Sequence, residues 1–236
     1  VSSEDRSSQS ELPGWLETAH ECAWGGISCT ANIVDSIDLS DHNLEGHIPD
    51  DLGLLTELTY LDLGDNALTG TIPSSIGQLT ELVFLELGIN ELTGTIPDDL
   101  GQLTALGILY LDNNALAGTI PSWLGQLTSL TLLSLRGNAL DGTIPSSLGQ
   151  LKALGTLSLS SNKLNGTIPD DLGFLTALTY LDLNRNALTG TLPSSLGQLM
   201  TVTSLDLSSN KLNGTIPDDL GVLSKLAILN LRANAL

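Results

Sequence analysis

From Ile33 to the end of the chain, apolar and polar positions recur at a fixed spacing of 24 residues. In the unit at 58–79 the inward positions are Leu58, Leu61, Leu63, Leu68, Ile72, Ile76 and Leu79. A fixed period of this size predicts a stack of like coils, each burying its apolar face only against its neighbours. Residues 60–64 alternate polar and apolar and predict a short strand on the concave side. Residues 68–72 alternate too and predict a second short parallel strand on another side of the coil. Pro73 and Gly77 predict a turn through the convex side. Each strand is expected to pair in parallel with its counterpart one coil away, about 4.8 Å distant. The pattern divides the chain into an N-terminal tail and cap at 1–32 and a solenoid of about 8.5 coils at 33–236.

Asparagine occupies one slot of every coil from Asn66 to Asn234, with His42 in that place in the first. A chain turning inward leaves backbone N–H and C=O groups without partners, which is costly when they are buried. A side-chain amide supplies donors and an acceptor, so the column is expected to bond the loops above and below. A finer repeat of 48 residues puts Asp pairs after the proline at 50–51, 98–99, 170–171 and 218–219. Pairs two coils apart lie about 10 Å from each other. One calcium ion needs six to eight oxygens, so these are read as solvated turn residues, and no metal or cofactor is predicted.

A net charge of −19 argues against nucleic acid and against an anionic membrane surface as partners. No apolar run is long enough to span a bilayer. The two cysteines stand close together in Cys22-Ala-Trp-Gly-Gly-Ile-Ser-Cys29. A disulfide there would stabilise by about 2.5 kcal/mol on the loop-entropy model and would imply an oxidising compartment. Two free thiols or half a metal site are the alternatives. Residues 11–18, with Trp15 and Leu16, are expected to form a short helix over the end of the stack, with Trp24 in the same lid. The start at Val1 fits a processed secretory product, and the end at Leu236 falls part-way through a coil.

The phrase L-x-x-L-x-L-x-x-N-x-L-x-G-x-I-P, with Gly70-Thr-Ile-Pro73 and its relatives, resembles the plant-type class of extracellular leucine-rich repeat proteins. The segment Cys22–Cys29 is similar to the N-terminal cap of the same group. Polygalacturonase-inhibiting proteins and receptor-like kinase ectodomains are members, which implies a secreted or cell-surface solenoid: an enzyme inhibitor or a receptor fragment. Related secreted inhibitors usually carry further C-terminal cysteines, and none stands here. The class shares a scaffold and differs in ligand.

Function therefore depends on what projects from the coils. On the concave face one column reads Ser36, Tyr60, Phe84, Ile108, Leu132, Thr156, Tyr180, Ser204, Ile228. The next begins Asp38, Asp62, Glu86, Tyr110, and beside it stand Asp112 and Arg136. An aromatic ridge beside an acidic one is the composition of a binding hot spot. The predicted ligand set is Tyr60, Asp62, Phe84, Glu86, Ile108, Tyr110, Asp112 and Arg136, and the predicted partner is a protein or peptide of basic character. Asp62 and Glu86 have the spacing of a glycosidase pair, but an open face is not expected to raise a carboxylate pKa. No catalytic set is predicted.

A competing surface carries Thr71, Thr95, Thr119, Thr143, Thr167, Thr191 and Thr215, with Thr69, Thr93 and Thr189 two residues before three of them. Such Thr-x-Thr rows resemble those of ice-binding β-solenoids, although threonine is also simply a good exposed strand residue. Asn165-Gly-Thr167 and Asn213-Gly-Thr215 are glycosylation sequons on that face.

Overall fold

The structure, a computed structural model, describes residues 21–236. The helix expected at 11–18 lies outside the described residues. Nine parallel strands, from Ile33–Asp38 and Tyr60–Asp62 to Ile228–Asn230, form one continuous concave sheet. Their register follows the 24-residue period, so Tyr60 pairs with Phe84, Phe84 with Ile108 and Ile108 with Leu132. A tenth strand, Ile27–Thr30, runs antiparallel to Ile33–Asp38 and covers the first edge. Cys22 and Cys29 are disulfide-bonded with Cα atoms 5.6 Å apart, tying the turn Glu21–Ala23 to that strand. Covering an edge in this way removes a template for unwanted pairing.

The apolar set read from the repeat is the core: Leu58, Leu61, Ile76 and Leu79 are fully buried, and Leu63, Leu68 and Ile72 nearly so. Each such side chain contributes about 1.5–3 kcal/mol relative to an exposed one. The concave strand is shorter than residues 60–64. Leu63 still donates its N–H to the Glu86 carbonyl at 2.9 Å, but the backbone then turns at Asp65, where φ is 54°.

The convex turn and the second strands are present, in a more broken form than one continuous second sheet. The segment after Pro73 is a 3-10 helix, Ser74–Gln78, opened by the ring-fixed φ of −70° at Pro73. It recurs in every following coil, from Asp98–Gln102 to Asp218–Val222. The second strand spans Ala67–Thr69 and stops where Gly70 turns into the left-handed region, φ 79°. The second sheet is consequently not one sheet. It consists of three two-stranded pieces and isolated bridges. Its register is also offset, since Thr71 lies opposite Thr93 and Thr119 opposite Asp141.

The asparagine column bonds in one direction only. Asn90 accepts the Leu68 N–H through Oδ1 at 2.9 Å and donates through Nδ2 to the Leu63 carbonyl at 2.9 Å, both in the preceding coil. Its other two acceptors, the Leu87 and Gly88 carbonyls, belong to its own coil. No bond to the following coil is made by the side chain, because that coil brings its own asparagine. His42 serves only its own turn, with Nδ1 2.6 Å from the Ser40 carbonyl.

Candidate functional site

The concave strands bring the predicted aromatic residues into contact. Tyr60 and Phe84 stack at a centroid distance of 4.4 Å with planes 8° apart. Phe84 and Tyr110 meet at 6.4 Å and 58°. The contact follows from chain geometry: Tyr60 and Phe84 are register partners on adjacent strands, while Tyr110 lies one step along, opposite Glu86. Aromatic pairs in such arrangements add about 0.5–1.5 kcal/mol beyond their burial. Ile108 continues the apolar row, half-buried beside Phe84.

The acidic row is built into the same strands. Asp62 Oδ1 accepts the Gly64 N–H at 2.9 Å, and its Oδ2 accepts from the Tyr60 hydroxyl at 3.3 Å. Glu86 Oε1 accepts the Gly88 N–H at 2.7 Å. Gly64 and Gly88 make room for this, since a Cβ at Gly64 would stand 2.8 Å from Glu86 Cγ. The glutamate side chain lies over two positions that have no side chain of their own and is thereby half-buried. Burial first, and then the charges of Asp112, Asp62 and Asp65, push its carboxyl up to about 7, against one opposing hydrogen bond from Gly88. This corrects the expectation that an open face leaves its carboxylates unperturbed. Asp62 is raised as well, chiefly by burial. Burial and then Asp62 push the Tyr60 hydroxyl up to about 12, and burial and then Glu86 raise that of Tyr110.

Asp112 adjoins this set and accepts from Asn113 Nδ2 at 2.8 Å. Arg136 lies one coil further on, its carbonyl accepting the Asn113 N–H at 2.8 Å; it is exposed, and its charge acts on Tyr180, where it opposes the upward push of burial, Asp182 and Asp206. Two features escape the repeat reading. Ile89 is 49% exposed beside the acidic row and has a φ of 51°, a conformation unusual for a β-branched residue. Its departure from the polar or small residues in that slot, such as Asp65 and Asn113, was the available signal. The second is charge distribution, because residues 33–135 hold 15 acidic residues and no lysine or arginine.

On the other face, Thr69, Thr71, Thr93, Thr95, Thr119, Thr143, Thr167, Thr189, Thr191 and Thr215 are exposed, as are Asn165 and Asn213. The threonine before Ile-Pro also has a packing role. Thr71 Cγ2 lies 2.8 Å from where a Cβ on Gly94 would be, and Thr119, Thr143 and Thr167 repeat the contact on Gly142, Gly166 and Gly190. Its methyl thus fills the space left by a glycine whose positive φ the turn requires. Among the described residues no group of three His, Cys, Asp or Glu could hold a metal ion. No helix among them is long and apolar enough to cross a membrane.

The Glu86 environment has a measurable consequence. With a folded-state value near 7 against an ordinary 4.5, the folded protein holds this proton more tightly than the unfolded chain does. Glu86 therefore contributes stability that is present below its ordinary value and is lost as pH rises from there towards 7. We expect chemical unfolding of Glu86→Gln to show a smaller loss of stability between about pH 5 and pH 7.5 than the parent chain shows. Parallel pH profiles would mean that Glu86 titrates normally.

Known proteins share the fold that carries this face. Residues 34–169 match a leucine-rich repeat region and residues 176–236 a leucine-rich repeat. Among curated proteins none matches. One similar solved structure is the ectodomain of the Arabidopsis thaliana membrane receptor kinase GASSHO1/SCHENGEN3, in complex with CASPARIAN STRIP INTEGRITY FACTOR 2. It is 39% identical with a TM-score of 0.93, over 96% of this chain and 28% of that one. The ectodomain of the Arabidopsis receptor kinase HAESA, in complex with an extended IDA peptide hormone, is 38% identical with a TM-score of 0.85, over 93% and 38%. The chain thus spans well under half of either ectodomain. A plant ice-binding protein is 28% identical with a TM-score of 0.65, over 89% of this chain and 86% of that one. The match over residues 34–169, more than half of the chain, and the 24-residue plant-type repeat together make this protein a member of the leucine-rich repeat family.

Proposed function

We propose that this chain is a non-catalytic extracellular recognition module that binds a basic peptide or protein through the N-terminal half of its concave face. The carrying observation is the Tyr60–Phe84–Tyr110 aromatic row set against Asp62, Glu86 and Asp112, in a stretch that has no lysine or arginine of its own. A stacked aromatic row offers preorganised apolar area at little entropic cost, and uncompensated carboxylates favour a cationic partner. Peptide-bound ectodomains among the similar structures support a peptide ligand, and the disulfide supports an oxidising compartment. Asn165 and Asn213 would carry glycans after passage through a eukaryotic secretory route.

Selection of a random peptide library on the immobilised protein tests this reading. The selected peptides should be rich in lysine and arginine, and Phe84→Ala should weaken them by 10-fold or more, about 1.4 kcal/mol. Affinity should rise between about pH 6 and pH 8, as Glu86 ionises, and that rise should be absent in Glu86→Gln. Unchanged affinity across alanine variants of Tyr60, Asp62, Phe84, Glu86 and Tyr110 would sink the assignment.

A second reading, ice binding by the threonine face, is favoured by the plant ice-binding protein, which this chain matches over most of both lengths. The staggered register and the broken second sheet weigh against it, because lattice matching needs a flat repeating surface. Ice shaping that is lost in Thr95→Tyr and kept in Phe84→Ala would replace the first reading with this one.

A further inference from the structure

The slot two residues after the coil's proline holds Asp51, Ser75, Asp99, Ser147, Asp171, Ser195 and Asp219, but in one coil it holds Trp123. This substitution changes the stacking. A Cβ on Gly77, Gly125, Gly149 or Gly173 would lie 2.2–2.3 Å from a backbone carbonyl oxygen of the next coil, so those 3-10 turns are in close contact. At Gly101 the nearest atoms are instead the Trp123 ring, at 3.3 Å. The indole wedges two turns apart that close directly elsewhere. Its Nε1–H donates to Asp98 Oδ1 at 2.9 Å, which fixes the plane of the ring.

Beside it lies an open groove of about 630 Å³, bordered by Trp123, Pro121 and Asp98 and by the exposed threonines Thr95, Thr119 and Thr143. Its size is that of a small-ligand site. The repeat does not itself require a tryptophan here, because the sibling coils close with serine or aspartate, although Trp123 also packs against the core. An aromatic ring with a negatively polarised face suits the C–H surface of a sugar ring. The threonine hydroxyls and the Asp98 carboxylate suit the hydroxyl rim of the same molecule, since each can accept or, for threonine, also donate. A net charge of −19 disfavours an acidic saccharide.

We propose that this groove binds an uncharged β-linked glucan chain, one sugar ring lying against Trp123 and its hydroxyls meeting Thr95, Thr119 and Asp98. A chain with all-equatorial substituents is chosen because it presents apolar C–H faces and a polar rim at once. The site is separate from the concave face, so the two readings stand or fall independently.

Titration calorimetry of the whole chain with cellotetraose tests it. Saturable binding is expected, weakened at least 10-fold in Trp123→Ser and several-fold in Thr119→Val, with Phe84→Ala unaffected. Trp123→Ser installs the residue of three sibling coils, so it should fold, and its thermal unfolding would be recorded alongside. The absence of saturable heat from cellotetraose would overturn the proposal. So would equal affinity in Trp123→Ser, or tighter binding of tetragalacturonate than of cellotetraose.

Discussion

Gly125→Ala will destabilise the protein by about 3 kcal/mol or more in urea unfolding, while Gly101→Ala, the same slot one coil earlier, will cost under about 1 kcal/mol. Neither glycine has a positive φ, so backbone strain does not separate them. What differs is the neighbour. A Cβ on Gly125 would stand 2.2 Å from the Ser147 carbonyl oxygen, a backbone atom that moves only if the next coil moves. That coil is held by Leu148, fully buried, and by ladder bonds on the concave side. At Gly101 the new methyl would meet the Trp123 ring at 3.3 Å, and a side chain can yield by the few tenths of an ångström required. The two sites should also be coupled. In Trp123→Ser the wedge is gone, the turns can close, and Gly101→Ala should then acquire most of the Gly125→Ala cost. A double-mutant cycle reads that interaction directly. Equal costs for Gly101→Ala in both backgrounds would mean that the turns stay apart without the indole.

How far the repeat can be read follows from what generates each feature. The core and the concave register were legible because both derive from a strict period: Leu61 faces inward for the same reason as Leu85, and Tyr60 must lie beside Phe84. The aromatic contacts followed, since position along a strand fixes which side chains meet. The threonine face is less legible in the repeat. Its rows are expected one coil apart, whereas Thr71 lies opposite Thr93, and Glu45 already lies opposite Ala67 ahead of Gly70, so the offset is in place before that turn. Periodicity in sequence does not report such a shift. The raised Glu86 carboxyl was out of reach for a related reason. It depends on two glycines in a neighbouring column, Gly64 and Gly88, that let the side chain lie down. Trp123 and Ile89 stand as breaks in their columns, and a period reports what the coils share rather than what one coil alone carries.

The largest effect on stability from a polar side chain is expected at the asparagine column, where Asn138→Ala should lower the unfolding free energy on the order of 3 kcal/mol. Asn138 Oδ1 is the acceptor for the Leu116 N–H at 3.0 Å, and Nδ2 donates to the Leu111 carbonyl at 2.9 Å. Both partners belong to the preceding coil, and Leu111 and Leu116 are fully buried. Alanine would leave one donor and one acceptor without these bonds, at about 1–3 kcal/mol for each group left unsatisfied. The two longer bonds, to the Leu135 and Arg136 carbonyls at 3.2 and 3.3 Å, add less. Because the bonds run backwards along the stack, the damage should also be directional. Amide hydrogen exchange should rise at Leu116 more than at Leu140, whose own N–H is held by Asn162 at 3.0 Å. A ladder in which each asparagine served both neighbours would instead loosen the two sides equally. Loss of protection at Leu140 to the same extent as at Leu116 would therefore contradict the one-way ladder, and an unchanged unfolding midpoint would show that water or a repacked turn takes over the orphaned groups.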